Sequence, residues 1–256
     1  MWMRRFRWWP MKRQTVLLLT AYDQSFADLA SLTLPRMRAY AERNKCEFRA
    51  ITEIDSSRPG GWLKIPPIRQ ALSEGFDFIL WIDADALLIR NDVDIRDEVR
   101  PNHDLSLSWL GPETTDWQAP PDVVGHFNTG VMLIRNTPWA HDFFARVWAS
   151  TPMDHSWWEQ ATILHLLGYN NLIGKGIEDP TNVDRQRVHK LDPAWNSVPG
   201  IAMAADPIVH HYAGVDMSKR FDLMRTDGMM PVSVKREGRL ERARRVSAAV
   251  RQARER

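Results

Sequence analysis

The sequence predicts an α/β fold in which a mostly parallel central sheet is flanked by helices. Three observations carry that expectation. Short continuous apolar runs, VLLL at 16–19 and FILWI at 78–82, read as strands buried on both faces. These runs alternate with stretches whose apolar residues recur at i, i+3 and i+4, the spacing of a helix face. Proline and glycine sit where such helices would start and stop, as at Pro66, Pro67 and Gly75.

Taken in order, residues 14–22 (QTVLLLTAY) form the first core strand, ending in small and polar residues. A helical stretch follows from Phe26. Pro35 is placed to open a new helix carrying Met37, Tyr40 and Ala41 on one face and stopping near Asn44. Residues 46–51 alternate as a second strand, and 58–61 form a loop by their Pro and Gly content. A helix from Pro66 to about Glu74 leads to a strand at 76–82. Further strands are expected at 105–110 and 131–134, and helices at 139–148 and 159–167. Residues 168–207 read as loops with small strands, and 207–212 as a last strand. From Val234 onward, Leu240, Ala243, Val246 and Val250 fall on one face of a helix and arginines on the rest. In sheets of this kind, ligands sit beyond the carboxyl ends of the strands.

The chain has 256 residues, 44% hydrophobic and 26% charged, which is enough for one substantial core. One cysteine, Cys46, excludes an internal disulfide and reads as a structural thiol. The net charge of +2 is unevenly spread: residues 1–13 carry +5 and residues 235–256 carry +6, leaving −9 on the body. An acidic body argues against a nucleic-acid-binding core and suits one that recruits a divalent cation. The expected organisation is a basic, Trp-rich arm at 1–13, a catalytic domain at 14–233 and a basic amphipathic helix at 234–256. The apolar run at 16–19 is far shorter than the ~20 residues of a membrane span. With Trp2, Phe6, Trp8 and Trp9 among the cations of the arm, the expectation is a cytoplasmic protein whose basic ends touch an anionic membrane face peripherally.

Asp83 and Asp85, in WIDADALLI, are two residues apart, so on an extended backbone both carboxylates point to one side of a strand end. Two hard oxygen donors there can hold Mn²⁺ or Mg²⁺ with positions left open for a diphosphate. The apolar runs on either side partly bury the pair, which is costly for carboxylates unless a cation balances them. In IVHHYAG, the imidazoles of His210 and His211 would face opposite sides of a strand. His211 is the candidate third ligand, and Gly214 follows where backbone could approach a phosphate.

The segments WLKIPPIRQAL from Trp62, WIDADALLI from Trp81, FNTGVMLIRNTPWA from Phe127, EQATILHLL from Glu159 and HHYAG from His210 occur in an order that resembles glycosyltransferase family 34. That is the galactosyl-, mannosyl- and xylosyltransferase family. FNTGVMLIRN, LDPAWN and HYAG are also similar to family 8 enzymes. The resemblance spans residues 16–219 and implies a GT-A fold, a Rossmann-like nucleotide half joined to an acceptor half. It further implies a metal-bound UDP or GDP sugar donor, a glycan or glycolipid acceptor and retention of anomeric configuration.

By that likeness Asp83, Asp85 and His211 hold the metal, and Thr20, Ala21 and Tyr22 contact the base and ribose. Lys64 lies near the donor phosphates, Asn128, Thr129 and Gly130 line the donor sugar, and Glu159 and Gln160 face the anomeric carbon. The family pattern has a phosphate-binding lysine soon after the HFxG-like glycine. Here Val215 and Asp216 follow Gly214, leaving Lys219 as the nearest lysine and Arg220 as a substitute. Trp109, Trp117, Trp157 and Trp158 fall in loop-like surroundings, and Trp109 and Trp157 are the candidate acceptor contacts. Two other readings of the DxD and the basic ends are a metal-dependent nucleotidyl- or phosphotransferase and a non-catalytic module that binds an anionic surface.

Overall fold

The structure is a computed structural model and describes residues 13–53, 57–111, 125–169, 179, 181–229 and 236–254. The basic arm before Arg13 and Trp117 lie outside the described residues. A six-stranded sheet forms the centre, in the order β2-β1-β3-β6-β5-β7. The strands are β1 (Val16–Ala21), β2 (Glu47–Ile51), β3 (Phe78–Ile82), β5 (Leu105–Leu110), β6 (His126–Arg135) and β7 (Val188–Leu191). A separate two-stranded sheet pairs β4 (Ala86–Leu88) with β8 (Val209–His211). β1 runs parallel to β2 and β3, and β5 parallel to β7, while β6 is antiparallel to both β3 and β5. Five strands therefore share one direction and β6 alone is reversed. That reversal carries the start of β6 to the edge where β1 and β3 end.

The apolar runs are continuous because both faces of the sheet are covered. Leu17, Leu19, Ile79 and Trp81 point to one side, where α2 (Ile65–Leu72), α3 (Pro138–Ala149) and α4 (Trp158–Leu166) pack with Ile65, Ile68, Phe143, Phe144, Ile163 and Leu164. Val16, Leu18, Phe78, Leu80 and Ile82 point to the other side, against Met37 and Tyr40 of α1 (Ala27–Asn44). A further apolar cluster joins Leu87 and Tyr212 of the small sheet region to Met224 of α5 (Met217–Met229) and to Val246 and Val250 of α6 (Arg236–Arg254). Residues 246 and 250 thus share one buried helix face, as their spacing predicts, while Arg244 and Arg245 are exposed.

Three local expectations need correction. Pro35 does not open a new helix: α1 runs through it from Ala27 to Asn44. Proline removes one backbone donor from a helix interior, but Leu29, Ala30, Thr33, Met37, Tyr40 and Ala41 remain on one buried face, and their burial favours a single continuous helix. The strand expected at 131–134 is longer, β6, because its first residues pair with Ser108, Trp109 and Leu110 of β5 after a register shift. The strand expected at 207–212 is not part of the main sheet, since β8 pairs with the short β4 that follows the two aspartates.

Asp227 of α5 anchors that last pairing. Its Oδ2 lies 2.7 Å from His210 Nδ1 and accepts a hydrogen bond from the Tyr212 hydroxyl at 2.7 Å, all three residues being buried. His210 is thereby held toward α5, and the alternation of β8 turns His211 the opposite way, toward the main sheet. Among the described residues no helix is long and apolar enough to cross a membrane.

Candidate active site

At the end of β3 the chain does not stay extended. The Ala86 amide donates to the Asp83 carbonyl at 3.0 Å, closing a turn that leads directly into β4. The turn is held from two sides: Asp83 N donates to Gly130 O at 2.9 Å, and Thr33 Oγ1 of α1 donates to Ala84 O at 3.0 Å. Convergence of the carboxylates therefore comes from a turn, and not from the two-residue repeat of a strand. One ligand atom from each of Asp83, Asp85 and His211 lies within 4.8 Å of the others. His211 stands opposite Ala86 across the β4–β8 pair, and its Nε2 lies 3.6 Å from Asp85 Oδ1.

Burial holds the His211 imidazole below its ordinary pKa, with the Asp85 and Asp83 carboxylates opposing that shift. The ring is neutral at neutral pH, as a metal ligand must be. Its Nδ1 is buried with no hydrogen-bond partner among the described residues. Two carboxylates and a neutral imidazole are a donor set that suits Mn²⁺.

Two cations balance the acids. Lys64, buried at the entry to α2, places Nζ 3.0 Å from Asp83 Oδ1 and 2.7 Å from Glu159 Oε1. Burial alone would lower the pKa of its ammonium, but the two carboxylates outweigh it and hold the group charged well above the usual lysine range. Arg220 of α5 donates from Nη1 to Asp85 Oδ2 at 2.7 Å. Trp81 Nε1 also donates to Asp83 Oδ1, at 2.6 Å. Lys219, next to Arg220 in α5, instead donates to the Ala253 carbonyl of α6 at 3.2 Å, and Gly214, with φ +70°, lies in the turn that leads from β8 to α5.

Glu159 and Gln160 lie in the first turn of α4 and are buried against the start of β6. Burial raises the Glu159 pKa above the usual carboxylate range, with the Lys64 ammonium opposing that shift in part. Thr129 Oγ1 donates to Glu159 Oε1 at 3.0 Å, while Gln160 Oε1 accepts from Asn128 Nδ2 at 2.9 Å and from Thr129 N at 3.1 Å. Asn128 Oδ1 in turn accepts from Gly130 N at 2.9 Å and from Asn196 Nδ2 at 2.6 Å. A single network thus links Asn196, Asn128, Gln160, Thr129, Glu159, Lys64 and Asp83.

Two glycines leave room for it. A Cβ on Gly61 would lie 2.1 Å from Glu159 Oε2, and one on Gly130 would lie 2.5 Å from His211 Cε1.

The structure therefore brings Lys64, Asp83, Asp85, Asn128, Thr129, Gly130, Glu159, Gln160 and His211 together at one edge of the sheet. Thr20, Ala21 and Tyr22 end the neighbouring β1 at the same edge, and Thr20 Oγ1 is buried without a partner among the described residues. Asn196 was not among the sequence candidates; LDPAWN flagged its segment but not its contact with Asn128. Trp109 and Trp157 have protein partners: the Trp109 ring meets Phe127 and Lys190, and Trp157 stacks on His126 with ring centres 4.5 Å apart.

The family model for nucleotide-diphospho-sugar transferases matches residues 17–184, which hold every one of these site residues except Asn196, His211 and Arg220. The chain belongs to the nucleotide-diphospho-sugar transferase family. It is 26% identical over 213 residues to an uncharacterized alpha-1,2-galactosyltransferase of Schizosaccharomyces pombe, covering 69% of this chain and 54% of that protein. The chain thus spans about half the length of the curated relative it matches. Among solved structures it is similar to a glycosyltransferase involved in glycosylation of the major capsid of PBCV-1. There the TM-score is 0.60 and the identity 18%, with 83% of this chain and 99% of that one covered. The fold of this transferase-family chain is GT-A, as the sequence motifs implied.

Gly130→Ala should push the His211 ring out of the cluster. Mn²⁺ affinity, titrated by the loss of the free-ion EPR signal, should fall by roughly 10-fold or more with the far-UV circular dichroism unchanged. Unaltered affinity would remove His211 from the ligand set.

Proposed function

We propose that the chain is a metal-dependent, retaining glycosyltransferase. It moves a hexose or pentose from a nucleoside diphosphate sugar, UDP sugars being favoured over GDP sugars, to a glycan or glycolipid acceptor. The observation that carries this reading is the convergence of Asp83, Asp85 and His211 within 4.8 Å beside the buried Glu159–Gln160 pair. A bare metal site would not need that pair or its network to Asn128 and Thr129. Family membership supports the donor class. The relative's name adds support for retention, because an α linkage made from an α-linked nucleotide sugar keeps its configuration.

In this reading Asp83, Asp85 and His211 hold Mn²⁺ or Mg²⁺. Once bound, the cation would neutralise the charge that develops on the departing diphosphate. Thr20, Ala21 and Tyr22 receive the base and ribose. Lys64 and Arg220 lie at the metal carboxylates and supply positive charge to the phosphates. Arg220 takes the place expected of Lys219, whose ammonium is engaged by α6, while Gly214 turns the chain that leads to both.

Asn128, Thr129 and Gly130 line the donor sugar, with Gln160 fixing the orientation of the first two. Glu159 and Gln160 face the anomeric carbon, where the Glu159 carboxyl, paired with Lys64, stabilises an oxocarbenium-like centre. The basic ends bind an anionic membrane surface on the cytoplasmic side, a reading supported by the exposed Arg244 and Arg245 of α6.

Incubation with Mn²⁺ and a panel of UDP and GDP sugars should release free nucleoside diphosphate. Asp85→Ala should lower kcat/KM on the order of 10³-fold, and NMR of the product should show the donor's anomeric configuration. Release of pyrophosphate would point to nucleotidyl transfer, and an inverted product would exclude retention. For the membrane reading, flotation with vesicles containing phosphatidylserine should recover the full chain and lose most of a chain cut back to residues 14–233. Equal recovery of the two sinks it.

A further inference from the structure

We propose that Trp158 is the acceptor platform, its indole stacking on the apolar face of a pyranose ring. This rests on the glycosyltransferase reading above. Among the described residues Trp158 is the exposed aromatic side chain, 46% accessible, whereas Trp62, Trp81 and Trp195 are buried and Trp157 is covered by His126. Large apolar rings favour burial, so a ring left open beside a reaction centre calls for a partner.

The backbone of Trp158 points the same way. Its φ is +48°, in the left-handed region that bulky residues avoid. Glycine or asparagine would begin α4 at this position without that penalty. The position therefore carries a tryptophan despite the local preference, and the ring is what distinguishes it from those cheaper residues.

The ring is also supported from behind. A Cβ on Gly61 would lie 2.8 Å from Cε3 of the indole, and one on Gly60 3.9 Å from Cζ3 and Cη2, so the indole lies along the Gly60–Gly61 backbone. A ring backed in this way is a pre-ordered surface that loses little entropy on binding. It immediately precedes Glu159, whose carboxylate meets Lys64 at 2.7 Å and Thr129 at 3.0 Å, so what rests on the ring is next to the reacting centre.

Location separates the acceptor from the donor base. The base and ribose site proposed at the end of β1 lies across β3 from the start of β6, where α4 docks. A sugar is the fitting ligand for a half-exposed indole in this place, because a pyranose offers one face of C–H groups to the ring and hydroxyls at its edges to the polar site.

Saturation-transfer NMR on the full chain, with methyl β-galactoside and methyl α-mannoside as probes, tests this without depending on turnover. The wild type should transfer saturation to the C–H protons of one sugar face of at least one probe. Trp158→Ala should weaken binding of that probe on the order of 10-fold, and Trp158→Phe, which keeps a ring, should restore most of it. Thermal unfolding of both variants identifies a folding defect, in which case the Phe variant decides. Absence of transfer to either glycoside in the wild type, or equal transfer in wild type and Trp158→Ala, overturns the platform. Donor turnover is scored separately: turnover without glycoside stacking refutes the platform alone, and glycoside stacking without turnover refutes only the glycosyltransferase reading.

Discussion

The ion pairing of Lys64 with Asp83 and Glu159 is the constraint on which the rest of the site depends. Three carboxylates, those of Asp83, Asp85 and Glu159, share one edge of a sheet, and two of them are buried. Bringing like charges together out of water is unfavourable by several kcal/mol unless cations stand between them. Lys64 does this for two of the three and Arg220 for the third. In the proposed function the same two cations would also attract the donor diphosphate. In that reading, structural balance without a substrate and electrostatic complementarity to one are properties of the same pair of side chains.

The reversed strand β6 is the architectural counterpart. Five strands running one way would place only strand ends at the site edge, each followed by a loop. Reversing β6 delivers the start of a strand there, so Asn128, Thr129 and Gly130 arrive on rigid, hydrogen-bonded backbone. Asn128 and Thr129 then fix Gln160 and Glu159 of α4, which connects the start of β6 to Asp83 through Lys64. Sites built on regular elements hold their geometry better than sites built on loops, and here loops supply mainly the turn between Asp83 and Ala86.

Much of this was legible in the residues. Apolar runs marked β1 and β3, Pro66, Pro67 and Gly75 bracketed α2 and its exit, and the alternation of His210 and His211 correctly sent one imidazole away from the cluster. Pro35 misled because local helix-breaking chemistry competes with a long buried face, and only packing decides between them. The reversal of β6 could not be read, since an apolar strand buried on both faces carries no mark of its direction. The cation paired with Asp85 was equally opaque: Lys219 and Arg220 are adjacent, and which of them faces Asp85 depends on where α5 and α6 meet. Nor does a single sequence report exposure, so Trp157 and Trp158 look alike until one is seen stacked on His126 and the other open to solvent.

The central claim is that Asp83, Asp85 and His211 together hold one divalent cation, and pulsed EPR of the Mn²⁺-loaded full chain tests it most directly. The spectrum should show coupling to one directly bound imidazole nitrogen that shifts on ¹⁵N-histidine labelling and vanishes in His211→Phe, with Asp85→Ala weakening Mn²⁺ binding. A bound Mn²⁺ whose spectrum carries no histidine nitrogen, or carries one that survives His211→Phe, would contradict the site as built here.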